Sequence, residues 1–187
     1  MIVLASGSPR RGEILTNAGI PFVRELPANI DEMPLSGELP RDYVERLARE
    51  KAESVVAKES QVVLGADTTV VIDGTILGKP SSPADAARML RLLSGRSHEV
   101  ITGICLKSAR GRIVDAAITR VWFAALSGDE IETYVASREP MDKAGAYGIQ
   151  GLASKFVERI DGCYFNVMGL PIALVWKHLR ANPAFVI

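Results

Sequence analysis

The chain has 187 residues, 48% of them hydrophobic and 24% charged, enough for one domain with a sizeable core or for two lobes sharing a sheet. Its 22 basic and 22 acidic residues balance. This argues against a non-specific binder of polymeric nucleic acid, which carries a basic excess to displace condensed counterions.

No apolar run approaches the roughly 18 residues of a membrane-spanning helix, and the N-terminus lacks the basic and apolar regions of a signal peptide. A cytoplasmic protein without a membrane partner is expected. Cys105 and Cys163 are far apart with no metal-ligand spacing and read as reduced thiols. With only His98 and His178, a histidine-rich zinc site or a Ser-His-Asp triad is disfavoured.

In chain order, "IVLA" (2–5) predicts a buried strand. Residues 9–18 predict a helix, with Ser8 as N-cap, Pro9 at its first position and Gly19 as its C-terminal cap. A strand over 22–26 precedes the loop "PANIDEMPLSGELP" and a long helix over 41–58. "VVLGA" (62–66) is a short apolar strand of the kind buried on both faces of a sheet. Asp73-Gly74 between β-branched runs predicts a hairpin.

A helix over 83–94 follows, then two long strands within 98–124 around a turn at 109–111, and a helix over 127–137. "MDKAGAYGIQGLA" reads as a glycine-rich loop and 154–162 as a strand and turn. A last helix spans about 167–180, with Asn166 as its cap and Pro171 near its start. Alternating strands and helices followed by antiparallel pairs predict an α/β fold with a mixed sheet.

The chemistry starts in "LASGSPRR" (4–11). A strand ending in small residues at a helix start leaves backbone N–H groups pointing outward, and the helix dipole adds partial positive charge. Serine hydroxyls and two arginine forks complete a set suited to phosphate oxygens. An ordinary helix cap with exposed arginines is the equal alternative.

In the helix at 41–58, Lys51 lies three and seven residues from Ala48 and Val44 of the apolar stripe, and so faces inward. It either snorkels to water or meets an anion. Asp67 follows "VVLGA" at the expected strand end, where α/β ligands collect. It is a metal ligand, a proton acceptor or a turn cap. Asp31-Glu32, Lys79-Pro80 and the loop 142–151 with Gln150 are weaker signals; the glutamine amide can both donate and accept. Cations, hydroxyls and carboxylates with almost no histidine suit metal-assisted phosphoryl chemistry.

"LASGSPRR", "GADTTVV", "GKP", "DKAGAYGIQG" and "NVMGLP" occur in order over almost the whole chain. Together they closely resemble the Maf family of nucleoside triphosphate pyrophosphatases. The resemblance implies a single domain over 1–187 of the inosine triphosphatase type: an elongated mixed sheet flanked by helices, with two lobes and a central cleft.

It further implies hydrolysis of a nucleoside triphosphate to the monophosphate and pyrophosphate with a divalent cation, Mg²⁺ or Mn²⁺, by a cytoplasmic and often dimeric protein. On this resemblance Asp67 is the catalytic proton acceptor. Arg10, Thr68 and Gln150 set specificity, Ser8, Arg11, Lys51 and Lys79 contact phosphate, and Asp67 with Glu32 holds the metal. "DTT" and "YGIQG" are similar to the dTTP/UTP-cleaving branch. The alternatives are cleavage of 7-methyl-GTP and a non-catalytic, nucleotide-binding regulator of septum formation.

Overall fold

In the computed structural model, which describes residues 1–56 and 58–185, Ile2–Ala5 form β1 with all four residues buried. Helix α1 (Pro9–Asn17) starts at Ser8 and closes at Ala18, with Gly19 in the left-handed region at φ 67°. β2 (Phe22–Glu25) returns beside β1 in parallel. After an irregular loop, α2 (Pro40–Glu53) leads to β3 (Val62–Ile72), which lies parallel to β1 on its other side.

Asp73 and Gly74, at φ 50° and 74°, turn β3 into the short antiparallel strand β4 (Thr75–Leu77), as the Asp-Gly pair requires. α3 (Pro83–Leu93) follows, its first turn capped by the Ser82 hydroxyl accepting from the Asp85 N–H. The long strands β5 (Ser97–Ser108) and β6 (Gly111–Phe123) come next. Then come α4 (Gly128–Ala136), a series of short 3₁₀ turns, β7 (Val157–Asp161), α5 (Tyr164–Met168) and α6 (Ile172–Ala181). The seven-stranded mixed sheet has the order β2-β1-β3-β5-β6-β7, with β4 paired to β3.

Four expectations change. β3 does not end at residue 66: the β-branched run Thr68–Ile72 prolongs it, so Asp67 lies inside an 11-residue strand. α2 stops at Glu53 rather than 58, capped at Ser54, and residue 57 of the expected helix lies outside the described residues. The expected strand over 154–162 opens as a 3₁₀ segment, Leu152–Phe156, and is extended only from Val157. The last helix is two helices, broken where Gly169 adopts φ 114° ahead of Pro171. Asn166 therefore caps nothing. Its buried amide donates to the Val100 carbonyl at 2.9 Å and to Thr119 Oγ1 at 3.0 Å.

The chain divides into two compact units. The first comprises Met1–Asp67, Thr102–Ala117 and the segment from Gly169 onward. Val3, Ala5, Val63 and Cys105 pack there with Ala48, Ala52 and Val55. Gly65 and Gly103 let α2 approach closely: a Cβ on Gly65 would meet the Ala48 carbonyl and Ala52, and one on Gly103 the backbone of Val44.

The second unit comprises Thr68–Ile101 and Ile118–Met168. Its core holds an aromatic cluster in which His98, Phe123 and Tyr147 meet edge to face, with centroids 4.7–5.4 Å apart. Among the described residues, no helix is long and apolar enough to cross a membrane.

Candidate active site

β1 stops pairing with β3 at Ala5↔Gly65, while β3 continues. The chain leaving β1 folds back at Ser6, whose N–H reaches the Leu4 carbonyl at 3.0 Å. The buried Ser6 hydroxyl then accepts two bonds, from the Ser8 N–H at 3.2 Å and from Arg11 Nη1 at 3.0 Å. Ser8 is the N-cap by backbone, but its own hydroxyl makes no capping bond. The first turn of α1 directs the positive end of its dipole outward, as anion sites do.

Arg10 is half-buried. Arg11 is buried, and its Nε donates to the Gly169 carbonyl at 2.8 Å. Burial pulls the Arg11 guanidinium below its ordinary value; Asp67 and Glu32 raise it again, while Arg10 lowers it further.

Asp67 sits two residues beyond the last β1–β3 pair and is 7% exposed. Across from it, α2 presents Lys51, whose inward direction the apolar stripe foretold. Its ammonium does not snorkel to water: Nζ lies 2.6 Å from Asp67 Oδ1 and 2.6 Å from Glu32 Oε1. Two carboxylates thus share one cation. Burial pushes the Asp67 carboxyl above the usual carboxylate range; Lys51 and Arg11 hold it back and Glu32 pushes it up.

Glu32 rides on the loop between β2 and α2, and α2 also ties down that loop. The Tyr43 hydroxyl donates to the Glu32 carbonyl at 2.8 Å, and Arg46 Nη2 to the Met33 carbonyl at 3.1 Å. Arg46 grips Glu38 with both arms of its fork, at 2.6 and 2.8 Å. Burial, with Asp67 and Glu32 adding to it, pushes the Tyr43 phenol up and keeps it a donor.

The first unit therefore gathers six of the sequence-predicted residues: Ser8, Arg10, Arg11, Glu32, Lys51 and Asp67. Thr68, Lys79 and Gln150 belong to the second. There the Gly145 N–H donates to the Gly78 carbonyl at 3.1 Å, which ties the loop of Lys79 to the glycine-rich loop. Gln150 is exposed. Close to it in sequence, Leu152 donates its N–H to both carboxylate oxygens of Glu139, at 3.1 and 3.0 Å, and the Tyr134 hydroxyl adds a third bond at 3.0 Å.

Sequence reasoning missed Tyr43, Arg46 and the Gly169 carbonyl, and took the Ser6 hydroxyl for a phosphate donor rather than the acceptor that holds Arg11. Ser6 stands within "LASGSPRR" itself. Tyr43 sits two helical turns before Lys51, which was the available signal.

Among the described residues no three His, Cys, Asp or Glu side chains form a ready cation cage. Glu32 and Asp67 supply two hard oxygen donors at one point. That suits Mg²⁺ or Mn²⁺, which is bound through one or two carboxylates and completes its shell with phosphate oxygens and water.

A family model described as Maf-like protein matches residues 1–182. A dTTP/UTP pyrophosphatase of Syntrophomonas wolfei is 56% identical over 179 residues, covering 94% of each chain. Proteins of the same name from Koribacter versatilis and Shewanella oneidensis are 52% and 54% identical. Coverage is 96% of this chain and 93% of the first relative, and 91% and 92% for the second. The solved Ham1 protein of Staphylococcus aureus superposes with a TM-score of 0.53 at 16% identity, over 96% of this chain and 97% of that one. A HAM1 protein of Coxiella burnetii gives 0.52 at 17%, over 97% and 98%. These structures establish the fold alone, and its mixed sheet flanked by helices is the one the resemblance implied.

Proposed function

The chain belongs to the Maf family, and on that footing we propose that it hydrolyses dTTP and UTP to the monophosphate and pyrophosphate in the cytoplasm, with Mg²⁺ or Mn²⁺. One observation carries the reading: Lys51 draws two carboxylates together at 2.6 Å, with a buried arginine from the first turn of α1 in the same unit.

In this reading the triphosphate lies against the first turn of α1. Backbone N–H groups and the hydroxyl of Ser8 donate to its oxygens, and Arg10, Arg11, Lys51 and Lys79 offset its charge. Arg11 keeps its fork aimed because Ser6 and Gly169 fix two of its nitrogens. Glu32 and Asp67 would hold the cation; when bound, it neutralises phosphate charge and acidifies water.

Asp67 takes a proton from the attacking water. The oxygen forms its bond to the α-phosphorus, the bond from that phosphorus to the bridging oxygen breaks, and its electron pair leaves with pyrophosphate. Burial favours the protonated Asp67, which brings its basicity toward that of an effective general base. Thr68 and Gln150 read the pyrimidine edge, and Arg10 contributes to substrate discrimination. A site built to bond a carbonyl and a ring N–H rejects cytosine, whose reversed donors leave buried groups unpaired.

The test is pyrophosphate release from a panel of triphosphates with Mg²⁺. dTTP and UTP are expected to turn over well above CTP and the purines. Preference for 7-methyl-GTP, or no turnover on any triphosphate, overturns the reading in favour of the related purine enzyme or a nucleotide-binding regulator. Asp67→Asn should lower kcat by about 10²–10⁴-fold while the protein stays folded.

A further inference from the structure

Most of the large apolar residues in the loop that carries Glu32 face solvent: Leu26, Met33, Leu35 and Leu39 are 59–70% exposed, while Ile30 is half-buried, so hydrophobic burial is a minor part of its hold. What fixes it is a set of polar ties to α2. Lys51 takes the Glu32 carboxylate, Arg46 takes the Met33 carbonyl and Glu38, and Tyr43 takes the Glu32 carbonyl itself.

Tyr43 differs from the others in being a buried ring, 7% exposed, whose hydroxyl emerges at one place and meets one backbone acceptor at 2.8 Å. Tyr43 and Lys51 lie two turns apart on one helix, so α2 holds Glu32 by its main chain and by its side chain. α2 is in turn seated on the sheet through Gly65 and Gly103. The path from the sheet to the Glu32 carboxylate is therefore a chain of short, rigid links.

We propose that Tyr43 is a positioning residue: by holding the Glu32 carbonyl it sets the Glu32 carboxylate opposite Asp67, and so tunes the affinity of the site for the divalent cation. The inference rests on the reading of Glu32 as a cation ligand. Tyr43 touches neither cation nor phosphate in this role. Without its hydroxyl, the loop samples positions in which only one of the two carboxylates is in place.

Tyr43→Phe keeps the ring and removes this one hydrogen bond. A single bond of this kind corresponds to about three- to tenfold in an equilibrium. The variant is expected to weaken Mn²⁺ binding by that factor, measured by electron paramagnetic resonance with the non-hydrolysable α,β-imido analogue of dTTP. The Mg²⁺ midpoint of pyrophosphate release should rise by the same factor, while kcat at saturating Mg²⁺ stays within about twofold. Arg46→Gln, which releases the next carbonyl of the same loop, is expected to move the midpoint in the same direction, and it decides the question if Tyr43→Phe does not fold.

Glu32→Gln is the reference. If it shifts the cation midpoint and neither loop variant does, the positioning role is overturned and the cation role of Glu32 stands. A lower melting temperature with an unmoved midpoint in the loop variants overturns the positioning role in the same way. If Glu32→Gln leaves the midpoint unmoved, both readings of Glu32 fall.

Discussion

Lys51 and Asp67 meet at 2.6 Å with each side chain only 10% exposed, one reaching down from a helix and the other held inside a strand. Such a pair has lost most of its hydration, so neither charge is tolerable without the other. The half-exposed Glu32 lies 2.6 Å from the same ammonium, so Lys51 bridges two acids.

Replacing Lys51 with Met therefore strips the buried Asp67 of its ion-pair partner and leaves it only the field of Arg11. A loss of about 3–5 kcal/mol is expected from denaturant titration, and Lys51→Met/Asp67→Asn should recover most of it. A snorkelling surface lysine would cost under about 0.5 kcal/mol, and that result would undo the ion-pair description.

Arg11 is held by two different nitrogens, Nε on the Gly169 carbonyl and Nη1 on the Ser6 hydroxyl. Arg11→Lys keeps the charge and loses the planar fork. Turnover is expected to fall by at least about tenfold with stability reduced by about 1–3 kcal/mol, because one buried acceptor loses its donor. Wild-type kinetics in the lysine variant would show that charge alone suffices.

Gly65 sits where a Cβ would enter the backbone of α2 at Ala48 and Ala52. Gly65→Ala should destabilise by about 1–3 kcal/mol and also impair turnover, since α2 carries Lys51. Gly128 begins α4 with nothing within 4 Å of an added Cβ. Gly128→Ala should raise the unfolding free energy by about 0.4–1 kcal/mol without touching activity, and equal effects from the two would refute the close-approach argument.

His98 is 3% exposed, with Nε2 at 2.7 Å from the Tyr147 hydroxyl. Burial lowers its pKa from 6.5 to about 4. The folded protein thus keeps the imidazole neutral while the unfolded chain protonates it. The associated stability is complete above pH 6.5 and is lost as the pH falls toward 4, by about 3 kcal/mol in all. Urea titrations between about pH 7.5 and 4 should show this slope, and His98→Gln should flatten it. An equal slope in that variant would place the effect elsewhere.

What the sequence disclosed followed local rules. Asp73-Gly74 demanded a tight hairpin, Pro9 and Gly19 bracketed a helix, and the spacing of Lys51 from Ala48 and Val44 turned it inward. What it hid depended on distant partners. Asp67 looked like a strand end because the apolar run "VVLGA" stops before it, although β3 runs on beyond the last pair with β1. Asn166 looked like a cap because its type favours caps. Its partners, the Val100 carbonyl and Thr119, lie 66 and 47 residues away. Nothing local marked the bond of Tyr43, because its acceptor is a backbone carbonyl on the loop before the helix. Ordered motifs made the family legible before any of these contacts were.

The bond from Arg11 to the Gly169 carbonyl joins residues 158 apart. During synthesis, Arg11 leaves the ribosome early and its acceptor late, after the whole of the second unit has been made. The first unit is interrupted twice in sequence, so its contacts close over long loops and form slowly relative to local ones. The hold on the Arg11 guanidinium is therefore completed last. A chain stalled or cut before residue 169 carries every cation and carboxylate of the site, yet it lacks the carbonyl that aims one of them.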